Sequence, residues 1–177
     1  MSRSCRSPWT ALLLMLLSCA AGHAQTASGT INATLSHRSG IAIMFNSDPA
    51  GVPLGNAGMS NATLNFGNVS YLTTVPPAGV TLTRTASDFT ISTPFNVFVF
   101  TGGNGSKSYR LTAALQAAPG VFTWSLDGIA LSAVPAVIAA ADPRYGANAP
   151  HTLFLTIPTT ANPGVVTNVI NFTATAN

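Results

Sequence analysis

The most marked deficit of this sequence is formal charge. Only 6% of its 177 residues are Asp, Glu, Lys or Arg, and glutamate is absent, whereas about 25% of residues in ordinary globular proteins are charged. The few basic residues are scattered along the chain, which disfavours nucleic acid as a partner because phosphate binding needs clustered Lys and Arg. Four dispersed aspartates likewise disfavour a paired-carboxylate glycosidase.

Cysteine is also nearly missing. Cys5 and Cys19, the two cysteines of the chain, both lie in its first 24 residues. The remaining sequence therefore has no disulfide framework, no cysteine nucleophile and no thiolate metal site. Its histidines and aspartates show no ligand spacing typical of a metal site, so we predict neither a metal nor another cofactor.

The first 24 residues have the layout of a secretory signal peptide. Arg3 and Arg6 precede an apolar run that closes on Gly22-His23-Ala24, and this run is too short for a membrane-spanning helix. We expect cleavage after Ala24 and no integral membrane segment afterwards. Lipidation at Cys19 is the alternative. Residues 25–177 are then one secreted domain.

Without the signal, five basic residues remain against four aspartates, a net charge of +1. The polar residues are mainly Thr, Asn and Ser. Such a surface either reflects the preference of threonine for pleated sheets or packs against copies of itself, because low net charge favours association. Composition leaves both readings open.

Period-two alternation dominates the sequence and predicts strands. "GTINATLSH" and the final "INFTATAN" alternate apolar and polar residues, which is typical of strands with one buried face. Many such runs separated by turn residues predict an all-β fold. We expect an Ig-like antiparallel β-sandwich of about ten strands, with a rolled barrel as the alternative architecture.

Three segments refine this prediction. Asp127-Gly128 lies between two alternating runs and predicts a two-residue type I′ hairpin turn. "FNVFVF" (residues 95–100) is apolar on both sides, as expected of a strand that is central or covered by a partner. Residues 135–145, Ala-rich between Pro135 and Pro143, are interpreted as a long crossing loop with room for one short helix.

No catalytic constellation stands out. His37 and His151 are the histidines available as bases after signal removal, and neither occurs in the spacing of a known nucleophile–base arrangement. We therefore predict that the protein is not an enzyme. Among the aromatics, Trp124 is expected in the core, and Tyr145, in the loop "DPRYGAN", is the candidate for binding a carbohydrate or small ligand.

Two stretches carry a resemblance to a known group. "ATLNFGNVSYL" contains Leu64-x-Phe66-Gly67, and the chain closes on "GVVTNVINFTATAN". These stretches resemble secreted bacterial β-sandwich proteins of the spore-coat-U-like and pilin-type group. The resemblance implies a non-catalytic, Ig-like protein of the periplasm, cell surface or extracellular space, with self-association or pilus- or coat-type partners.

In pilin-type members, an N-terminal segment of one subunit completes the sheet of the next. The corresponding candidate is residues 26–36, with Ile31, Ala33 and Leu35 on one face. The alternative is that this segment pairs within its own chain. In the terminal strand, Ile170, Phe172 and Ala174 form the expected buried face. A structural or adhesive role is thus predicted, with a glycan-binding module as the alternative.

Overall fold

The computed structural model describes residues 25–33, 40–103 and 105–177. The predicted signal peptide, with the lipidation candidate Cys19, lies outside the described residues. These residues form β-strands and no helix, and therefore contain no helix capable of crossing a membrane. The strands are β1 (Gln25–Ala33), β2 (Ile41–Ser47), β3 (Asn61–Val69), β4 (Thr81–Arg84), β5 (Asp88–Thr101), β6 (Tyr109–Leu115), β7 (Thr123–Leu126), β8 (Ile129–Ala130), β9 (Ala136–Asp142), β10 (Asn148–Pro158) and β11 (Val165–Ala176).

The strands pair into two sheets that pack face to face as an open sandwich. The five-stranded sheet has the order β3-β1-β11-β6-β9, and the six-stranded sheet has the order β2-β5-β10-β7-β8, with β4 also paired to β5. The all-β prediction is confirmed, and of the two architectures considered the chain adopts the sandwich.

The core follows directly from the alternation of the strands. In β11 the residues Ile170, Phe172 and Ala174 are buried, while the intervening residues are not. Phe172 meets Phe45 of the other sheet with ring centroids 5.2 Å apart and Phe95 at 6.2 Å. Such edge-to-face aromatic pairs add to the apolar burial that holds the sheets together.

One strand pair departs from the expected antiparallel arrangement. Strand β1 runs parallel to β11, with Ile31 opposite Ile170, whereas every other strand pair among the described residues is antiparallel. A parallel pair needs a long crossover between its strands. Here the whole of the domain between Ala33 and Val165 provides it, so the pairing is invisible to local sequence patterns.

The interpretation of residues 135–145 as a crossing loop with a short helix is wrong for residues 136–142. Residues 136–142 form β9, which pairs with β6 through a ladder that has two register irregularities. A helix confined between Pro135 and Pro143 would be too short to be stable alone. The open edge of β6 instead offers hydrogen bonds to an extended chain, and tertiary context overrides the helix propensity of alanine.

The Asp127-Gly128 turn is confirmed. Both residues have positive φ angles, 52° and 82°, and they join β7 to β8. Positive φ at both central positions is the requirement of a type I′ turn, and it brings the Asp127 carboxylate to the end of β7.

Candidate assembly strand and polar clusters

Strand β1 lies in the interior of the five-stranded sheet, between β3 and β11. Ile31 stands opposite Ile170 on one side and opposite Ala62 on the other. Both rows of backbone N–H and C=O groups of β1 therefore face neighbouring strands. Removing β1 would leave unpaired edges on β3 and β11, which are templates for another strand.

The core face of β1 is built from small residues around one large one. Ala27 and Ile31 are buried, and Gly29 lies between them. A Cβ placed on Gly29 would be 3.5 Å from Cζ3 of Trp124 and 3.9 Å from Cδ2 of Leu153. Strand β1 therefore covers the indole of Trp124, which is a core residue as the sequence predicts.

The structure describes two of the three residues predicted for the assembly strand, Ile31 and Ala33. Ile31 is fully buried. Ala33 pairs with Phe172 through the strand ladder, and Leu35 lies outside the described residues. In the isolated chain the described part of the segment is thus paired within its own molecule.

The terminal strand supplies the surface on which β1 lies. Ile170 and Phe172 are fully buried and Ala174 is 8% exposed. Strand β11 pairs with β6 on its far side. Only the β1 side of β11 would therefore open if β1 left the sheet.

A β-bulge accounts for the Leu64-x-Phe66-Gly67 motif. Ala27 pairs with Gly67 and Ser28 with Asn65, so that Phe66 is the extra residue. Gly67 has φ +74°, and its N–H donates to Oδ1 of Asn65 at 2.9 Å. Glycine takes this left-handed backbone without strain. The motif thus shapes β3 where β3 receives β1.

Tyr145, the candidate for ligand binding, has most of its contacts inside the protein. It is half-buried, its hydroxyl donates to the Ser108 carbonyl at 2.9 Å, and its ring centroid lies 5.1 Å from that of Tyr109. Stacking on a sugar requires an open ring face, and one side of this ring already packs on Tyr109.

Tyr145 lies beside an ion pair between the exposed Arg144 and the buried Asp142. Nε of Arg144 donates to Oδ1 of Asp142 at 2.9 Å, and Nη2 lies 2.5 Å from Oδ2. These bonds hold the pKa of Asp142 below its usual value. Burial, together with the negative charge of Asp142, raises the pKa of the Tyr109 hydroxyl far above its usual value. Arg144 thus neutralises the buried carboxylate of Asp142 and fixes the end of β9.

A second polar contact joins His151 to Asp127, which the sequence analysis did not connect. His151 is 4% exposed, and its Nδ1 lies 2.6 Å from Oδ2 of Asp127. Oδ1 of Asp127 also accepts the N–H of Thr152 at 2.7 Å. Burial alone would raise the pKa of Asp127, but these hydrogen bonds outweigh it and lower the pKa.

The sequence carried part of the signal for this contact, in the alternation of β10. His151 shares the inward period of Leu153, Leu155 and Ile157, and the Asp127 turn lies beside β10 because β7 pairs with β10. Among the described residues, Nε2 of His151 has no hydrogen-bond partner.

The other candidate base, His37, lies outside the described residues. Within residues 25–33, 40–103 and 105–177, no three metal-ligating side chains of His, Cys, Asp or Glu come together. The contacts of His151 and Asp127 fix the β7–β8 turn against β10.

No protein-family model matches this chain, and a search of curated proteins gives no match either.

Proposed function

We propose that the protein is a non-catalytic, exported structural or adhesive subunit whose copies associate by β-strand addition. Residues 1–24 direct its export, and residues 26–36 form the strand that one copy inserts into the sheet of another. The resemblance of the Leu64-x-Phe66-Gly67 segment and the terminal strand to spore-coat-U-like and pilin-type proteins supports this role.

The observation that carries the proposal is the position of β1. After removal of residues 1–24, β1 would be joined to the rest of the chain only through residues 34–40, yet it occupies an interior place between β3 and β11. A strand that occupies an interior position and is joined to its domain at one end is suited to exchange, because a copy of it makes the same contacts in another molecule.

The contacts of β1 suit an exchangeable strand. Both of its backbone edges are hydrogen bonded, and its core face carries one large side chain, Ile31, with the small buried residue Ala27 and with Gly29, which lies on Trp124. Main-chain bonds supply affinity, and Ile31 sets the register, since a slip by one residue would turn it to solvent. If each copy donates its strand to the next, the association is heterologous and yields a linear polymer.

The proposal is tested by crosslinking β1 to β3. Thr30 and Thr63 are register partners on the outer face of the sheet, and residues 25–177 contain no cysteine. In the variant T30C/T63C, strand addition predicts disulfide-linked oligomers after oxidation. These would appear as a ladder on a non-reducing gel of protein recovered from the producing cells.

The matched control is T112C/T173C, which pairs β6 with β11 in the same antiparallel manner and should form only a bond within one chain. If T30C/T63C also gives exclusively monomers, β1 stays in its own molecule and the proposal fails. The single variants T30C and T63C show how much random intermolecular oxidation occurs.

The glycan-binding alternative has less support because the hydroxyl of Tyr145 is bonded to Ser108 and its ring packs on Tyr109. A shift in Trp124 fluorescence on adding a glycan, lost in Y145A, would favour it.

A further inference from the structure

The outer face of the six-stranded sheet carries a contiguous apolar surface where β2 pairs with β5. Val97 and Val99 of β5 face the core, so the alternating residues Phe98 and Phe100 point outward. Phe98 stands opposite Met44, and Phe100 stands opposite Ala42. These four residues, Ala42, Met44, Phe98 and Phe100, are called the β2–β5 patch.

The patch is accessible in the described part of the chain. Phe100 is 51% exposed, and the other three residues are half-buried beside it. A single exposed apolar residue needs no explanation, but a contiguous group that includes two phenylalanines on one sheet face indicates an interaction site.

Amide side chains form most of the polar border of the patch, and Asp48 adds a carboxylate to it. Nδ2 of Asn46 donates to Oδ1 of Asn148 at 2.8 Å, above β5. Asn96, the register partner of Asn46 on β5, donates through Nδ2 to Oδ2 of Asp48 at 3.2 Å. An apolar centre with an amide border matches the general layout of protein interfaces.

The scarcity of charged residues around the patch indicates which kind of partner it fits. The strands of the six-stranded sheet, including β4, contain two Asp, Glu, Lys or Arg residues, Arg84 and Asp88, and both lie at the opposite end of β5 from Phe100. The four residues of the patch carry no charge, so the patch does not select an oppositely charged protein. It is complementary to itself, as a two-fold symmetric interface requires.

We infer that the β2–β5 patch binds the same patch of a second copy, forming a two-fold symmetric pair. The net charge of +1 for residues 25–177 adds little repulsion between copies. The contact is independent of β1, which belongs to the other sheet, and so it would join whole molecules or whole strand-linked polymers side by side. Because the patch is small relative to a standard interface, the association is weak and concentration-dependent.

The test is sedimentation velocity of the protein without its signal, from about 1 μM to about 100 μM. The wild type should shift from monomer to dimer across this range. In F100D, each copy would place a carboxylate in the centre of the contact, where desolvation and like-charge repulsion oppose association. We expect the dissociation constant to rise at least about tenfold.

Two further variants make the result specific. M44D alters the same patch on the neighbouring strand and should weaken the dimer as F100D does. V121D introduces the same charge at a residue 66% exposed in the loop between β6 and β7 and should dimerise like the wild type. Circular dichroism and the melting temperature verify that each variant is folded.

A wild type that stays monomeric across the range would overturn the inference, as would an F100D variant that dimerises like V121D. A monomeric wild type that instead binds a glycan in an F100D-sensitive manner would reassign the patch to a carbohydrate. The T30C/T63C ladder tests strand addition separately. F100D should leave this ladder unchanged, so the failure of one proposal can be distinguished from the failure of the other.

Discussion

The two sheets of this sandwich offer contact in different ways. In the five-stranded sheet, the proposed contact element is a whole strand, β1, whose backbone is paired on both sides and whose core face carries Ile31. In the six-stranded sheet, the strands remain in place and the outer face around Phe98 and Phe100 is apolar. The two proposed modes of association, through strand edges and through a sheet face, therefore use separate residues.

The largest expected effect comes from shortening a buried side chain in each sheet. Ile31 in β1 and Ile91 in β5 are both fully buried. I31A and I91A should each lower the free energy of unfolding by about 2–5 kcal/mol, because each leaves a cavity. Urea denaturation followed by Trp124 fluorescence measures both.

Comparing I31A with I91A separates an effect on assembly from an effect on stability. If β1 is the exchanged strand, I31A should also reduce the T30C/T63C ladder, whereas I91A, at a comparable loss of stability, should not. Equal ladders in the two variants would mean that Ile31 has no part in association beyond its contribution to the core.

The next effect concerns the bulge that shapes β3 beside β1. G67A should lower the free energy of unfolding by about 1–2 kcal/mol, because alanine is strained at φ +74°. A Cβ there would also lie 3.2 Å from Cγ of Pro77. Thermal denaturation of G67A and of a control variant, G164A, measures the loss of stability.

G164A is the matched substitution just before β11, where a Cβ would meet no atom within 4 Å. It should be neutral or stabilise the protein by up to about 1 kcal/mol, since alanine restricts the unfolded chain. A G67A variant as stable as G164A would show that the bulge does not depend on glycine.

The smallest expected effect on stability comes from the charge of Asp127, in the β7–β8 turn that contacts β10. The lowered pKa of Asp127 means that the unfolded chain takes up its proton first as the pH falls. Its contribution to stability is therefore present above about pH 4 and is lost below it. Because 37% of this side chain is exposed, the contribution is modest.

In D127N the acid limb of the stability curve should be flatter than in the wild type, when urea midpoints are compared from neutral pH to about pH 3. Asp142 accounts for a further part of that limb, since its pKa is also lowered, so D127N/D142N should be flatter still. Superimposable curves for D127N and the wild type would exclude a stabilising charge at Asp127.

Local patterns anticipated much of the fold. The Asp127-Gly128 turn needs only the backbone freedom of two adjacent residues, and the buried face of β11 needs only its alternation. The two-sided apolar character of residues 95–100 likewise indicated the central strand β5, which pairs with both β2 and β10.

The candidate sites were harder to anticipate. The contact of His151 with Asp127 joins a residue of β10 to the β7–β8 turn, and the packing of Tyr145 on Tyr109 requires the end of β9 to return beside β6. Helix propensity suggested the wrong structure for residues 136–142, because the hydrogen bonds that favour β9 come from β6 and not from the segment itself.

The amino-acid sequence by itself determined the strand-forming segments, their buried faces and the hairpin turn at Asp127-Gly128, because alternation and turn geometry act between residues close along the chain. Only the tertiary structure decided that β1 lies parallel to β11, that Ala-rich residues become an edge strand, and that Phe98 and Phe100 share an outer face with Met44. Those outcomes depend on hydrogen bonds and packing between segments distant in the chain, whose partners no local pattern identifies.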